Sequence, residues 1–152
     1  MSHYINEYVV LSAIKAVLDA DSTLDGLLKA QAGNSKTILG LERPKYSNLP
    51  TVHLGIFTRT IAETKQNDML VRAMWFANAL PGSGAEDVEL LSNIGERIYD
   101  LLDDNLFAVT GYRVMVFTAE SGESSVPDME RPEGLGNHFQ SLTFRLVIKR
   151  IE

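Results

Sequence analysis

A chain of 152 residues with a formal net charge of −6 is sized for one domain with a single core, and is too acidic to gain much from a polyphosphate partner. It contains no cysteine, which excludes disulfides, thiolate metal sites and cysteine nucleophiles and is compatible with a reducing compartment. No apolar run approaches the roughly 18 residues that a membrane-spanning helix needs, and Met1–Tyr8 lacks the basic and apolar segments of a signal peptide.

Val9, Val10, Ala13, Ile14, Val17 and Leu18 fall at helical spacing, which predicts a helix over Glu7–Leu18 with Asn6 as its N-cap. Asp21 or Ser22 then caps a short second helix that turns Leu24, Leu27 and Leu28 inward. Gly33–Pro50, punctuated by Gly33, Asn34, Gly40, Pro44, Asn48 and Pro50, reads as a long loop. Beyond Pro50 the period changes to two: Val52, Leu54 and Ile56 alternate with His53, Gly55 and Phe57. Met69–Ala77 forms the next strand, and the polar turn Glu63–Asp68 predicts a hairpin. After Pro81–Gly84, Ser83 and Glu86 stand in the S-x-x-E relation of a capping box. They open a helix with Val88, Leu91, Ile94, Ile98, Leu101 and Leu102 as its apolar positions. Tyr112–Thr118 and Phe139–Ile151 are the last two strands, and the Gly-, Pro- and Glu-rich stretch Glu120–Asn137 between them is long enough to imply a functional or disordered loop. The order ααββαββ implies an α+β fold: an antiparallel-rich four-stranded sheet with helices on one face, forming a single domain over residues 1–152.

The residues offer no catalytic constellation. His3, His53 and His138 show neither H-x-x-x-H nor H-E-x-x-H spacing, so a helical metal pair is missing. His53, on a strand among apolar neighbours, reads as a structural or interface histidine, and His138 as a turn residue near carboxylates. A G-x-S-x-G elbow is also missing. Gly82-Ser83-Gly84 precedes a helix, but the G-x-x-x-x-G-K-[ST] pattern is absent. Glu86, Asp87 and Glu89 would repel a phosphate at that helix start. The expectation is a protein without enzymatic activity, bound metal or cofactor.

The sheet is more informative. If Val52, Leu54, Ile56, Val71, Ala73, Trp75, Val114, Val116 and the positions Leu142, Phe144, Leu146 and Ile148 pack under the helices, a distinct second face remains. That face carries Phe57, Arg59, Arg72, Met74, Phe76, Arg113, Met115, Phe117, Arg145, Val147 and Lys149. Each strand contributes an arginine among aromatics and methionines, the composition of a protein–protein interface core and not of an evenly polar solvated face. The alternative is a cover from the same chain, for which Gly33–Pro50 is long enough, with arginine stems lying along the patch. RNA-recognition sheets also present aromatics and arginines, but their order is βαββαβ and they carry an RNP1 pattern that is absent here.

Charge is distributed unevenly. The third helix carries Glu86, Asp87, Glu89, Glu96, Asp100, Asp103 and Asp104 against Arg97 alone. The long loop adds Glu120, Glu123, Asp128, Glu130 and Glu133 against Arg131, so that Glu123, Asp128, Glu130, Arg131 and Glu133 form a candidate docking loop. Opposite charges on different surfaces of one subunit suit a heterologous contact, which closes into a ring when the rotation permits. An acidic helix is also, more commonly, a solvated face.

Five segments, in order, carry a family resemblance: "DADSTLDGLL" (Asp19–Leu28), "LPTVHLGIF" (Leu49–Phe57), "VRAMWFANA" (Val71–Ala79), "AEDVELLSNIGERIYDLL" (Ala85–Leu102) and "HFQSLTFRLVI" (His138–Ile148). As a pattern of elements over nearly the whole chain, they resemble the tail-terminator or tail-completion proteins of long-tailed bacteriophages and phage-like gene-transfer particles. The resemblance implies a homo-oligomeric ring, usually a hexamer, that caps the tail tube protein, stops tail growth and presents a docking surface to the head–tail connector. It implies a place in the virion at the tail–neck junction after synthesis in the host cytoplasm, and DNA passing through the lumen without specific binding. The family has no catalytic residues to transfer. A head–tail adaptor is the alternative among assembly proteins, and a small nucleic-acid-binding domain the alternative of another class.

Overall fold

The computed structural model describes residues 4–29, 36–41, 50–61, 66–77, 84–124 and 138–151. The first helix, α1, spans Glu7–Asp19, and the Asn6 side chain caps it by accepting from the backbone N–H groups of Tyr8 and Val9 at 3.0 and 3.4 Å. Its apolar stripe buries Val10, Leu11, Ile14 and Leu18. The second helix, α2, covers Ser22–Lys29 and buries Leu24 and Leu28; Asp21, not Ser22, makes the cap, accepting from the Leu24 N–H at 2.8 Å.

Among the described residues the sheet has five strands where four were expected. The extra one, β1 (Ile38–Leu39), lies inside the predicted loop and pairs in parallel with β2 (Thr51–Ile61) through Ile38 opposite His53 and Leu39 opposite Leu54. Asp19 at the end of α1 pins its approach by accepting from the Thr37 N–H at 2.8 Å. The predicted hairpin forms between β2 and β3 (Gln66–Ala77), the latter starting three residues earlier than its apolar run suggests. The third helix, α3, covers Gly84–Leu102, and the chain ends in β4 (Tyr112–Ser124) and β5 (His138–Arg150). The proposed capping box at Ser83 and Glu86 falls outside the described residues and side chains. The spatial order β1-β2-β3-β5-β4 is antiparallel apart from the β1–β2 pair. Glu120–Ser124, predicted as loop, continue β4: Glu120 is an unpaired bulge residue and Ser121–Ser124 pair with Gln140–Thr143; the remainder, 125–137, lies outside the described residues.

Helices α1 and α3 pack on the same face of the sheet, α1 over β1 and β2, α3 over β3, β5 and β4. Trp75 is 2% exposed in this layer and donates its indole N–H to the Leu91 carbonyl of α3 at 2.8 Å. Gly95, one turn further along α3, lets the helix approach so closely that an added Cβ would stand 2.7 Å from Trp75 Cζ2. At the other end of the layer the Phe117 ring stacks on Phe144 (5.0 Å, 7°) and meets Phe107 edge-on (5.0 Å, 84°). Of the predicted α3 positions, Leu91, Ile94, Ile98 and Leu102 are buried, whereas Val88 is exposed.

Helices α2 and α3 are joined by a bidentate pair: Arg97 donates from Nε and Nη2 to the two Asp21 carboxylate oxygens at 2.9 and 2.6 Å. The arginine hydrogen bond holds the Asp21 carboxyl below its ordinary value, ahead of the opposing effect of burial. A depressed folded-state pKa adds stability that is present above the unfolded value of about 4 and is lost as the pH falls through the folded one. Asp21→Ala also removes the α2 cap and should lower stability by about 1–2 kcal/mol at neutral pH. Urea titrations across pH 7 to 2.5 should show this deficit shrinking below about pH 4; a deficit that stays constant would mean the carboxylate charge is not involved.

Candidate interaction surface

Strand alternation places Asn67, Met69, Val71, Ala73 and Trp75 of β3 under the helices, and aims Asp68, Leu70, Arg72, Met74 and Phe76 at the second face. The β3–β5 register adds Phe139, Ser141, Thr143, Arg145, Val147 and Lys149 to that face. On β4, Arg113 lies opposite Lys149 and Val116 opposite Val147, completing the surface away from the helices.

Two predicted members of this face turn the other way, each because of a β-bulge. On β4 the pairing shifts between Val114 and Val116, making Met115 an unpaired extra residue. One extra residue inverts the alternation, so Phe117 enters the core at 0% exposure and Val116, expected in the core, faces outward. On β2 the shift between Ile56 and Thr58 leaves Phe57 as the extra residue and rotates Arg59 to the helical side. There Arg59 donates to the Ile5 carbonyl, lies 4.4 Å from the Tyr4 ring centroid and approaches Glu7 Oε1 at 3.8 Å. Arg59 is therefore a clamp on the segment entering α1.

The rest of the face has two unlike ends. Near the start of β2, Thr51, His53, Phe76, Ser141 and Thr143 are buried. Phe76 meets His53 edge-on at 5.2 Å and Phe139 at 5.7 Å, and Thr51 Oγ1 lies 3.1 Å from His53 Nε2. Phe76 points to the predicted side but is 1% exposed, so it is packed and not presented. Leu41, just after β1, sits against Gly55 so tightly that a Cβ there would stand 2.4 Å from Leu41 Cγ. The self-covering alternative thus holds for Leu41; residues 42–49 lie outside the described set.

Toward the β2–β3 turn the face is open. The Arg72 guanidinium lies 4.5 Å from the ring centroid of Phe57, which is 42% exposed, a cation–π arrangement at the surface. Met74 is half-buried beside it. Arg145 donates to Asp68 from Nη2 at 2.9 Å and more weakly from Nε, an exposed pair of the kind that adds little to stability. Arg113 and Lys149 are exposed directly across from one another, and no carboxylate among the described residues pairs with either. Like charges in that position destabilise an isolated sheet. Met115 is exposed beside them, with Gln66 Nε2 at 3.5 Å from its sulfur. Glu123 is exposed near the far end of β4, while Asp128, Glu130, Arg131 and Glu133 lie outside the described residues.

A separate open groove of about 350 Å³ runs between α3 and the ends of β4 and β5, with Trp75 and Gly95 at its floor and Glu96, Tyr99 and Glu123 on its walls. It was not legible from spacing, because its lining comes from four elements. Hydrogen bonding to Asp103 raises the Tyr99 phenol above its ordinary value. Among the described residues no group of three or more histidine and carboxylate side chains could hold a metal ion, and no helix is long and apolar enough to cross a membrane.

No family model and no curated protein matches this sequence. Among solved structures, the chain is similar to one in a structure titled "Virion of native gene transfer agent (GTA) particle". The match has a TM-score of 0.55 at 12% identity and covers 90% of this chain and 92% of the other. At that identity the likeness establishes a shared fold.

Proposed function

We propose that this chain is a structural protein of a phage-like virion, and specifically a tail terminator. It assembles as a ring on the finished tail tube, stops further growth and offers its outer surface to the head–tail connector. The observation that carries the reading is the fold shared over 90% of the chain with a component of a gene transfer agent virion. The open basic end of the sheet and the acidic α3 add support, since each subunit has two dissimilar charged surfaces available for neighbours. In this reading the protein works by shape and self-association, without catalysis or a cofactor, at the tail–neck junction. Its net acidity lets DNA pass through the lumen without being retained.

Negative-stain images of the purified protein test the proposal directly. Rings with a central hole are expected, and the rings should bind one end of tail tubes. Uniform monomers at all concentrations, with no attachment to tubes, would overturn it.

A further inference from the structure

Two surfaces of the subunit match one another in charge and length and lie on opposite sides of the sheet. On the helical side, Glu89, Glu96 and Asp100 are exposed and fall within one stripe of α3, being separated by seven and four residues. Arg97, the helix's only basic residue, gives its hydrogen bonds to Asp21 and reaches this stripe only through a weaker electrostatic interaction with Asp100. Glu96 and Asp100 repel one another at this spacing in a lone subunit. On the other side, Arg113 and Lys149 are forced together by the β4–β5 register, and Arg72 continues the basic row.

The two rows have similar reach. From Glu89 to Asp100 the helix rises about 16 Å. From Lys149 to Thr143, the partner of Arg72 across β3, the strand runs about 20 Å. Beside the basic positions lie Phe57 and Met115, exposed apolar surface that a helix can cover. The one carboxylate described on the open end of the sheet face, Asp68, is held by Arg145, so that Arg113 and Lys149 are left as neighbouring like charges, as Glu96 and Asp100 are on the helix.

We infer that the open end of the second sheet face receives the acidic stripe of α3 from a second copy of this chain. The inference rests on the ring reading above and specifies its subunit contact. Because donor and acceptor surfaces lie on opposite faces of one subunit, the contact is heterologous. Every copy gives its helix to one neighbour and its sheet to the other, which is the arrangement that a closed ring requires.

A charge-exchange experiment on the full chain tests this. Glu96→Lys with Asp100→Lys makes both surfaces basic; Arg113→Glu with Lys149→Glu makes both acidic. All four positions are exposed, so circular dichroism should show an unchanged fold. By light scattering each double variant alone should shift to monomers, with apparent association weakened at least 100-fold. Mixed in equal amounts, the two should reassemble, because each presents the surface complementary to the other. The chain carrying all four changes should assemble by itself. Assembly of both double variants as efficiently as the unaltered protein would overturn this contact while leaving the ring intact. Loss of assembly without rescue in the mixture would also overturn it. An unaltered protein that stays monomeric would overturn both the contact and the ring.

Discussion

Phe117→Ala should lower the stability of the subunit by about 3–5 kcal/mol, enough to unfold much of a domain whose total stability is of the order of 5–15 kcal/mol. The side chain is fully buried, stacked on Phe144 and closed off by Phe107, so truncation leaves a void between two rings that are held by their own packing. Met115→Ala, two residues earlier, is the internal comparison. Met115 is 44% exposed and should change stability by no more than about 0.5 kcal/mol. Urea denaturation of the pair measures the inversion that the β4 bulge imposes. Similar small losses in both, with oligomers weakened by Phe117→Ala, would mean that Phe117 faces outward after all.

Gly95→Leu should destabilise by about 2–3 kcal/mol, although leucine favours helix over glycine by roughly 0.5–1 kcal/mol. The new side chain must start 2.7 Å from the Trp75 ring, which is held by its hydrogen bond to Leu91 and cannot swing aside. Either α3 lifts from the sheet or the indole moves. Trp75 is the chain's single tryptophan, so its fluorescence reports which occurs: a red shift in native protein accompanies the lost stability. Gly95→Ala places one carbon in the same position and should show a smaller loss of the same sign. A stabilised Gly95→Leu variant with unshifted emission would show that the helix and sheet do not meet so closely.

The helices are legible in the sequence because their signals are local. Asn6 caps α1 as its side-chain chemistry suggests, and the burial of Leu91, Ile94 and Ile98 follows the 3.6-residue period. The β2–β3 hairpin was equally legible from alternation about a polar turn. What escaped was set by pairing across strands. Two residues suffice for β1 because Leu54 and Thr37 are fixed by other elements, and so short a strand has no period to detect. Neither Phe57 nor Met115 is itself a glycine or proline, and each bulge reverses the facing of the residues that follow it, on β4 as far as the second slip at Glu120. Hence Arg72, Met74, Arg145 and Lys149, on strands without such shifts, were assigned to the correct side, while Arg59 and Phe117 were not. Phe76 was aimed correctly, but its burial depends on His53 and Phe139, which sequence spacing does not bring together.

Among the described residues the outer strand β4, thirteen residues long, has a strand partner on one side only; in its middle the Asp104 N–H donates to the Phe117 carbonyl and Asp103 accepts from the Ala119 N–H, and the rest is a rim of backbone donors and acceptors. A flat rim of that length would template the addition of stray strands and lead to fibrils. Here the pairing slips at Met115 and again at Glu120, and Arg113, Glu120 and Glu123 stand exposed along it, so the rim is kinked and charged at several points. Newly made subunits can therefore accumulate at high concentration without zipping together edge to edge. In the ring proposed above, association is then left to the two broad faces, and a rim that rejects further strands keeps growth from bypassing them.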